Sequence, residues 1–465
     1  MLKIKFGTDG WRAIIAQEYT VQNVARVTVA VAKWLSLKTE NPSIVIGYDC
    51  RFAGELFTHT AIKILCSAGI KVYTHKGFVS TPMISYAVLQ YKCDQGIVIT
   101  ASHNPPSYNG YKLKGAHGGP SSPAHISEVE NLIPDHEVDI NGDLSEFEKI
   151  GLLKYVDFEN DYVEYLKQKF DIAALNNSPF KMAYDAMYGA GQNVMKKLFP
   201  NAVHLHCEVN SSFNGTSPEP LHKNLLQLSN TIKSTPELKF GLANDGDADR
   251  IALYDEDGKY VDSHHIILLL TLYLHQYKKM SGKVAIAAST TLRVNKLCEK
   301  YQLPCIVTPI GFKYISEIMM QDDVLVGGEE SGGISVKGHI PERDGIYDGL
   351  VIYEFMNQTK KSLKELCQEL YKEVGEFFYE RADLHLTESL KQQAIQKCQS
   401  GIREFGKYKV INTNLIDGFK YELPNDCWTM VRASGTEPLL RIYAEGNTLD
   451  EVNDILAEVR KTLGV

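Results

Sequence analysis

The chain has 465 residues, of which 44% are hydrophobic and 23% charged, with a formal net charge of −8. That length leaves room for about three domains, or four smaller ones, each able to bury an ordinary core. The acidic balance argues against a nucleic-acid partner or an anionic membrane surface, so an anionic ligand would need a locally basic pocket.

In chain order, a helical pattern at 21–37 precedes a strand at 43–48, a helix at 57–68 leads to a strand at 70–73, and 96–100 reads as a short buried strand. This alternation predicts βαβ units. Residues 115–143 are polar and rich in glycine and proline, and 153–170 reads as a helix, which puts a boundary near 150. A strand at 181–184, a helix after Gly191 and a strand at 239–242 make a second block. Helices at 265–277, 292–301, 349–356 and 362–374, with strands at 283–288 and 305–308, make a third. The last block carries a helix at 388–405, strands near 409–411, 428–433 and 440–445, and a final helix at 449–463. The expected domains are therefore 1–150, 151–258, 259–378 and 379–465, the first three α/β.

The nine cysteines lie singly between Cys50 and Cys427 with no C-x-x-C pair, which suits reduced thiols in a cytoplasmic protein. The start, MLKIKFGTDGWRA, has no apolar h-region, so no signal peptide is expected. The most apolar stretch, 266–274, is too short to span a bilayer and reads as a buried helix. Oligomeric state is not legible.

Four loops carry the chemistry. In GIVITASHNPPSYNGYK the strand ends on Ser102 and His103, Asn104-Pro105-Pro106 forbids an immediate helix, and Asn109-Gly110 predicts a second turn before Lys112. A serine, an imidazole and a nearby ammonium at the carboxyl edge of a strand fit covalent catalysis on an anionic group. A polar strand-ending turn is the plainer alternative. DGDADR, 245–250, sets Asp245, Asp247 and Asp249 at alternate positions between two apolar runs, a hard-oxygen site suited to Mg²⁺. The spacing also matches the start of an EF-hand loop, but Arg250 stands where that loop needs glycine. GEESGG, 328–333, offers Glu329 and Ser331 on a backbone a ligand can approach, with sugar hydroxyls as suitable partners. Lys313 falls at the opening of a helix, and His339 lies in the polar run 337–345. RASGTEPLLR, 432–441, resembles an anion nest with Arg432 and Arg441 flanking two hydroxyls. Arg12, in GTDGWR, is a candidate second phosphate clamp. There is no Walker loop and no complete dinucleotide fingerprint.

Taken together, TASHNP, DGDADR, GEESGG and RASGTEPLLR resemble, in order, the four signature loops of the α-D-phosphohexomutases, and the resemblance spans essentially the whole chain. It implies three α/β domains with mixed sheets and a smaller α+β fourth domain around one central cleft. It further implies that Ser102 is phosphorylated in the active enzyme, that Asp245, Asp247 and Asp249 hold Mg²⁺ together with a phosphoryl oxygen on Ser102, and that Lys112 is the general acid/base. Glu329 and Ser331 would contact the sugar, and Arg432, Ser434, Gly435, Thr436 and Arg441 the phosphate not being transferred. Arg12, His103, Arg250, Lys313 and His339 would assist. The expected reaction interconverts hexose 1-phosphate and hexose 6-phosphate through a hexose 1,6-bisphosphate, with no nucleic-acid or membrane partner. Glu329-Glu330-Ser331 looks most like a glucose-phosphate mutase. ISVKGHIPERDG departs from the glucose enzymes and leaves mannose or glucosamine phosphates open. A Mg²⁺-dependent phosphatase and a non-catalytic sugar-phosphate sensor are the alternatives of other classes.

Overall fold

The computed structural model describes residues 2–433 and 439–465. The first sheet has six strands in the order Trp11–Ile14, Tyr108–Gly115, Gln95–Ile99, Ser43–Tyr48, Lys71–Thr74, Leu153–Tyr155. Its centre is parallel, and Tyr108–Gly115 turns back antiparallel against both Gln95–Ile99 and Trp11–Ile14. Helix Val21–Lys38 is started by Thr20, whose side chain accepts the Asn23 N–H, and buries Val24, Val27, Val31 and Leu35, the 3–4 spacing of a single apolar face.

The second sheet runs Tyr260–Val261, Ile251–Tyr254, Leu238–Asn244, Lys181–Asp185, Val203–Leu205, and the third Cys305–Thr308, Lys283–Ala287, Val324–Gly328, Ile334–Val336; both mix parallel and antiparallel pairs. The fourth is antiparallel throughout: Phe378–His385, Leu439–Gly446, Trp428–Ala433, Phe419–Glu422, Asn412–Asn414. One of its faces packs Val431, Ile442 and Ala444 against helices Glu388–Gln399 and Leu449–Leu463. The other brings Trp428, Met430 and Tyr443 onto Ala288 of the third domain. The fold is thus three α/β domains followed by a smaller antiparallel one with helices on a single face.

Several local expectations change. Residues 153–155 are not helical: Leu153–Tyr155 pairs with Lys71–Thr74, and the helix, Phe158–Lys169, begins only after its Asp157 cap. The first sheet therefore extends past the boundary expected near residue 150. The polar run 115–143 holds a helix, Pro123–Asn131, opened by Ser122 and a proline in its first turn. The helix from Glu388 ends at Gln399, and 404–409 is a short hairpin turning near Gly406. Asn109-Gly110 is not a turn but lies within Tyr108–Gly115. A Cβ at Gly110 would collide with the Thr100 carbonyl oxygen and meet that of Trp11 at 2.8 Å, so glycine is required there by close approach of neighbouring backbone. Gly110→Ala should cost about 1–3 kcal/mol as an overpacked site. It is read as a lowered thermal midpoint, and an unchanged midpoint would contradict this packing.

Candidate active site

Ser102 sits just beyond the carboxyl end of Gln95–Ile99 with a left-handed backbone, φ 53°. That conformation is strained for a side chain with a Cβ and is a known habit of reactive turns. Arg51, which the sequence reading passed over, holds the turn. Its guanidinium donates to four carbonyls, those of Ser102 (2.5 Å), Asn104 (2.7 Å), Pro105 (2.9 Å) and Tyr108 (3.0 Å). Asp49 orients Arg51 through Nε at 3.3 Å and accepts from Thr100 Oγ1 at 2.6 Å. Ser102 Oγ in turn donates to Asp245 Oδ2 at 2.8 Å and lies 3.3 Å from His103 Nδ1.

DGDADR forms the turn of an antiparallel hairpin between Leu238–Asn244 and Ile251–Tyr254. Its three aspartates are completely buried, with ligand oxygens within 4.8 Å of one another. A Cβ on Gly246 would meet the Ser102 carbonyl oxygen at 2.7 Å, so the glycine between the first two aspartates lets the two loops touch. Lys112 Nζ closes the cluster, at 2.8 Å from Asp247, 2.9 Å from Asp249 and 2.8 Å from Asp9. Arg343 Nη2 reaches Asp9 at 2.6 Å and Asp249 at 2.9 Å. Asp9 and Arg343 were missed individually, although both lie in motifs singled out for Arg12 and His339.

Burial sets the electrostatics. It raises the Asp245 carboxyl well above the usual range, helped by Asp247 and Asp249. It also opposes the charge on Asp247, where the Lys112 ammonium wins and holds the carboxyl below its ordinary value. For Lys112 the burial penalty is likewise outweighed by Asp247, Asp249 and Asp9, so the ammonium is held high. Burial and then the Arg250 and Arg12 guanidiniums drive the His103 imidazole well below its ordinary value, which leaves it neutral. Asp247 Oδ1 and Asp249 Oδ1 are buried without a hydrogen-bond partner, a costly state for carboxylate oxygens and one that a hard divalent cation would relieve. The donor set therefore fits Mg²⁺.

Arg12 donates to Asn104 Oδ1 at 2.7 Å beside the serine loop. Arg250 donates its backbone N–H to Asp245 and approaches Glu219 at 3.4 Å. The loop 328–333 docks on the hairpin around 245–250 through Ile251 N–H to the Gly332 carbonyl at 3.0 Å. Glu329 accepts the Gly311 N–H at 2.8 Å. Its carboxyl is raised to about 7 by burial, with Arg343 opposing and Glu330 adding. Ser331 lies partly exposed in the same turn, and Lys313 lines a cavity of about 190 Å³ with Thr8, Asp9 and Gly10. Arg432 and Arg441 are cross-strand partners in the fourth sheet. Ser434, Gly435 and Thr436 lie outside the described residues.

Among the described residues, His339 packs into the core rather than into the site. Its side chain is wholly buried, stacked on Tyr347 at 3.8 Å and bonded to Asp344 (2.8 Å) and Tyr165 (2.9 Å). It cements the helix Phe158–Lys169 to the third domain and is corrected here from a ligand to a packing residue.

A strand-end serine that faces a buried acidic cation site, with Arg12 and Arg343 close by, is suited to handling a phosphoryl group. Models of the phosphoglucomutase/phosphomannomutase alpha/beta/alpha domains I, II and III match residues 3–138, 160–258 and 262–374, and that of the C-terminal domain matches 391–462. The chain belongs to this family. It is 28% identical over 456 residues to the phosphoglucomutase/phosphomannomutase of Thermococcus kodakarensis, covering 97% of this chain and 96% of that one. It is 30% identical over 457 residues to a protein of Methanosphaera stadtmanae named a probable phosphoglucosamine mutase, with 97% and 96% covered. A solved structure from Thermus thermophilus, provisionally named a phosphomannomutase, superposes with a TM-score of 0.88 at 30% identity over the full length of both chains.

Because one guanidinium organises the serine turn, Arg51→Ala should speed amide hydrogen exchange across 101–108 and lower turnover by at least about tenfold, the worth of just one of the four charge-assisted hydrogen bonds lost. Unchanged exchange there would show that the turn is held by something else.

Proposed function

We propose that this phosphohexomutase interconverts glucose 1-phosphate and glucose 6-phosphate through phospho-Ser102 and glucose 1,6-bisphosphate. The observation that carries the reading is the contact between Ser102 Oγ and Asp245 at the mouth of a buried triad that includes two unpartnered oxygens. Asp245, Asp247 and Asp249 would hold Mg²⁺ with a phosphoryl oxygen of phospho-Ser102, and when bound the ion supplies charge neutralisation to the transferring group.

The chain's own groups do the rest. In the first half-reaction a sugar hydroxyl oxygen attacks phosphorus, the P–Oγ bond of Ser102 breaks, and the hydroxyl proton passes to a base. His103, held neutral and with Nδ1 facing Ser102 Oγ, is placed to take it, while Lys112, held as an ammonium by Asp247, Asp249 and Asp9, is suited to the complementary role of proton donor and charge stabiliser. Arg12 and Arg250 flank the loop and stabilise the separating charge. The bisphosphate then turns end for end and returns its other phosphoryl group to Ser102. Arg432 and Arg441 hold whichever phosphate is idle, assisted by Ser434, Gly435 and Thr436, while Glu329 and Ser331 grip the sugar hydroxyls and Lys313 the cleft wall. Water must be kept out meanwhile, or transfer becomes hydrolysis. The nine cysteines are free, and all but Cys305 are buried, as suits a reducing, cytoplasmic setting. Among the described residues no helix is long and apolar enough to cross a membrane.

A second sugar has specific support. Relatives of similar identity are named phosphoglucosamine mutases, and the partly exposed Glu330 beside buried Glu329 offers an acidic side chain that would welcome a 2-ammonium group. Parallel assays on glucose, mannose and glucosamine 1-phosphates with Mg²⁺ decide the matter. Glucose fastest, with no phosphate released, is expected; another sugar fastest would overturn the preference, and net phosphate release would overturn the mutase. In the same assay Ser102→Ala should lose several orders of magnitude in turnover, and retained activity would remove the nucleophile.

Glu329 is the stronger acceptor for sugar hydroxyls when ionised. KM should fall as pH rises through about 7, beyond whatever the ionisation of the substrate phosphate contributes. Glu329→Gln should lose that extra pH dependence and keep the substrate's own; identical profiles for the two proteins would free Glu329 from this role.

A further inference from the structure

Arg432 stands on the fourth domain's strand Trp428–Ala433, but what holds its guanidinium reaches outside that domain. Arg432 Nε donates to Asp417 Oδ1 at 3.0 Å, and Asp417 Oδ2 accepts the backbone N–H of Ile310 at 2.9 Å. Ile310 belongs to the third domain, in the turn between Cys305–Thr308 and the helix Phe312–Gln321. The next N–H of that turn, Gly311, is the one that Glu329 accepts. Gly311 has φ 133°, a conformation open to glycine and costly for other residues, so consecutive N–H groups are presented to carboxylates from two different domains. Nearby, buried Lys420 donates to the carbonyls of Ala288 (2.9 Å) and Thr290 (2.7 Å) while lying 4.0 Å over the Trp428 ring. The segment 417–420 is thus fastened to the third domain at both ends.

We propose that Asp417 is a positioning residue that fixes the Arg432 guanidinium to the sugar loop, so that the idle phosphate and the sugar hydroxyls are gripped at one set separation. The inference rests on the roles given above to Arg432 and Glu329. Its chemical consequence concerns the intermediate. After the first transfer the phosphoryl group has left Ser102 for the sugar, and the serine is a free hydroxyl until the bisphosphate returns a phosphoryl group. A loose Arg432 lets the bisphosphate leave in between, stranding dephosphorylated enzyme that only added bisphosphate can recharge.

The test is a progress curve on the full-length phosphorylated protein, with and without added glucose 1,6-bisphosphate. Wild type should sustain turnover without the additive. Asp417→Asn should slow within a few cycles, recover on addition, and show KM raised roughly tenfold or more, the size expected for one charge-assisted hydrogen bond. A purely structural role would lower the thermal midpoint without creating a bisphosphate requirement, and that result overturns the inference. Arg432→Lys supplies an independent arm: the double variant should need no more bisphosphate than Arg432→Lys alone, since both changes break one link. Additive effects would show that Asp417 acts elsewhere and would overturn the proposal. If wild type isomerises no sugar phosphate at all, the mutase reading itself fails; if wild type is processive and Asp417→Asn equally so, only this inference does.

Discussion

The ammonium of Lys112 against three carboxylates is the contact on which the rest of the site depends. Lys112 comes from the first sheet, Asp247 and Asp249 from the second domain's hairpin, and Asp9 from the N-terminal segment. Arg343 of the third domain shares Asp9 and Asp249 with it. Three domains therefore meet on one ionic cluster. Removing one member of such a cluster leaves an uncompensated buried charge, typically at a cost of about 3–5 kcal/mol. The arrangement is thus poor as a source of stability and strong as a device for fixing position. It keeps the serine loop against Asp245 without relying on either domain's own packing.

The charge count bears on the phosphorylation proposed for Ser102. Three carboxylates, Asp9, Asp247 and Asp249, face the two cations Lys112 and Arg343, and Asp245 adds a fourth carboxyl beside Ser102, so the unmodified site has acidic charge to spare. A divalent cation would offset that excess, and a phosphoserine, carrying about −1.5 to −2, would add the kind of charge such a cation attracts. The cation and the modification are in this sense partners, each reducing the cost of burying the other. Strain at Ser102 works in the same direction: a left-handed serine braced by Arg51 holds its Oγ against Asp245.

Much of this was legible in the sequence, because strand-ending loops announce themselves as apolar runs that stop at polar motifs. The hairpin of DGDADR, the strand Trp428–Ala433 and the terminal helix Leu449–Leu463 are local in origin and fell where the pattern put them. What the pattern concealed was decided by distant contacts. Leu153–Tyr155 is a strand only because Lys71–Thr74 offers it a free edge. Gly110 imitates a turn but answers to carbonyls of the neighbouring backbone. His339 has the composition of a ligand, and the aromatic pair Tyr165 and Tyr347 makes it core instead. Arg51, Asp9, Arg343 and Asp417 take their roles from partners in other loops or domains, which no single stretch of residues displays.

The claim that most needs testing is that one phosphoryl group shuttles between Ser102 and the sugar. Enzyme carrying labelled phosphate on Ser102 should be mixed with one equivalent of unlabelled glucose 1-phosphate and quenched within a single turnover. The account predicts label in glucose 1,6-bisphosphate and then in glucose 6-phosphate, with the serine re-phosphorylated by the sugar's original phosphate. Label remaining on the protein while glucose 6-phosphate accumulates, or leaving as inorganic phosphate, would contradict it.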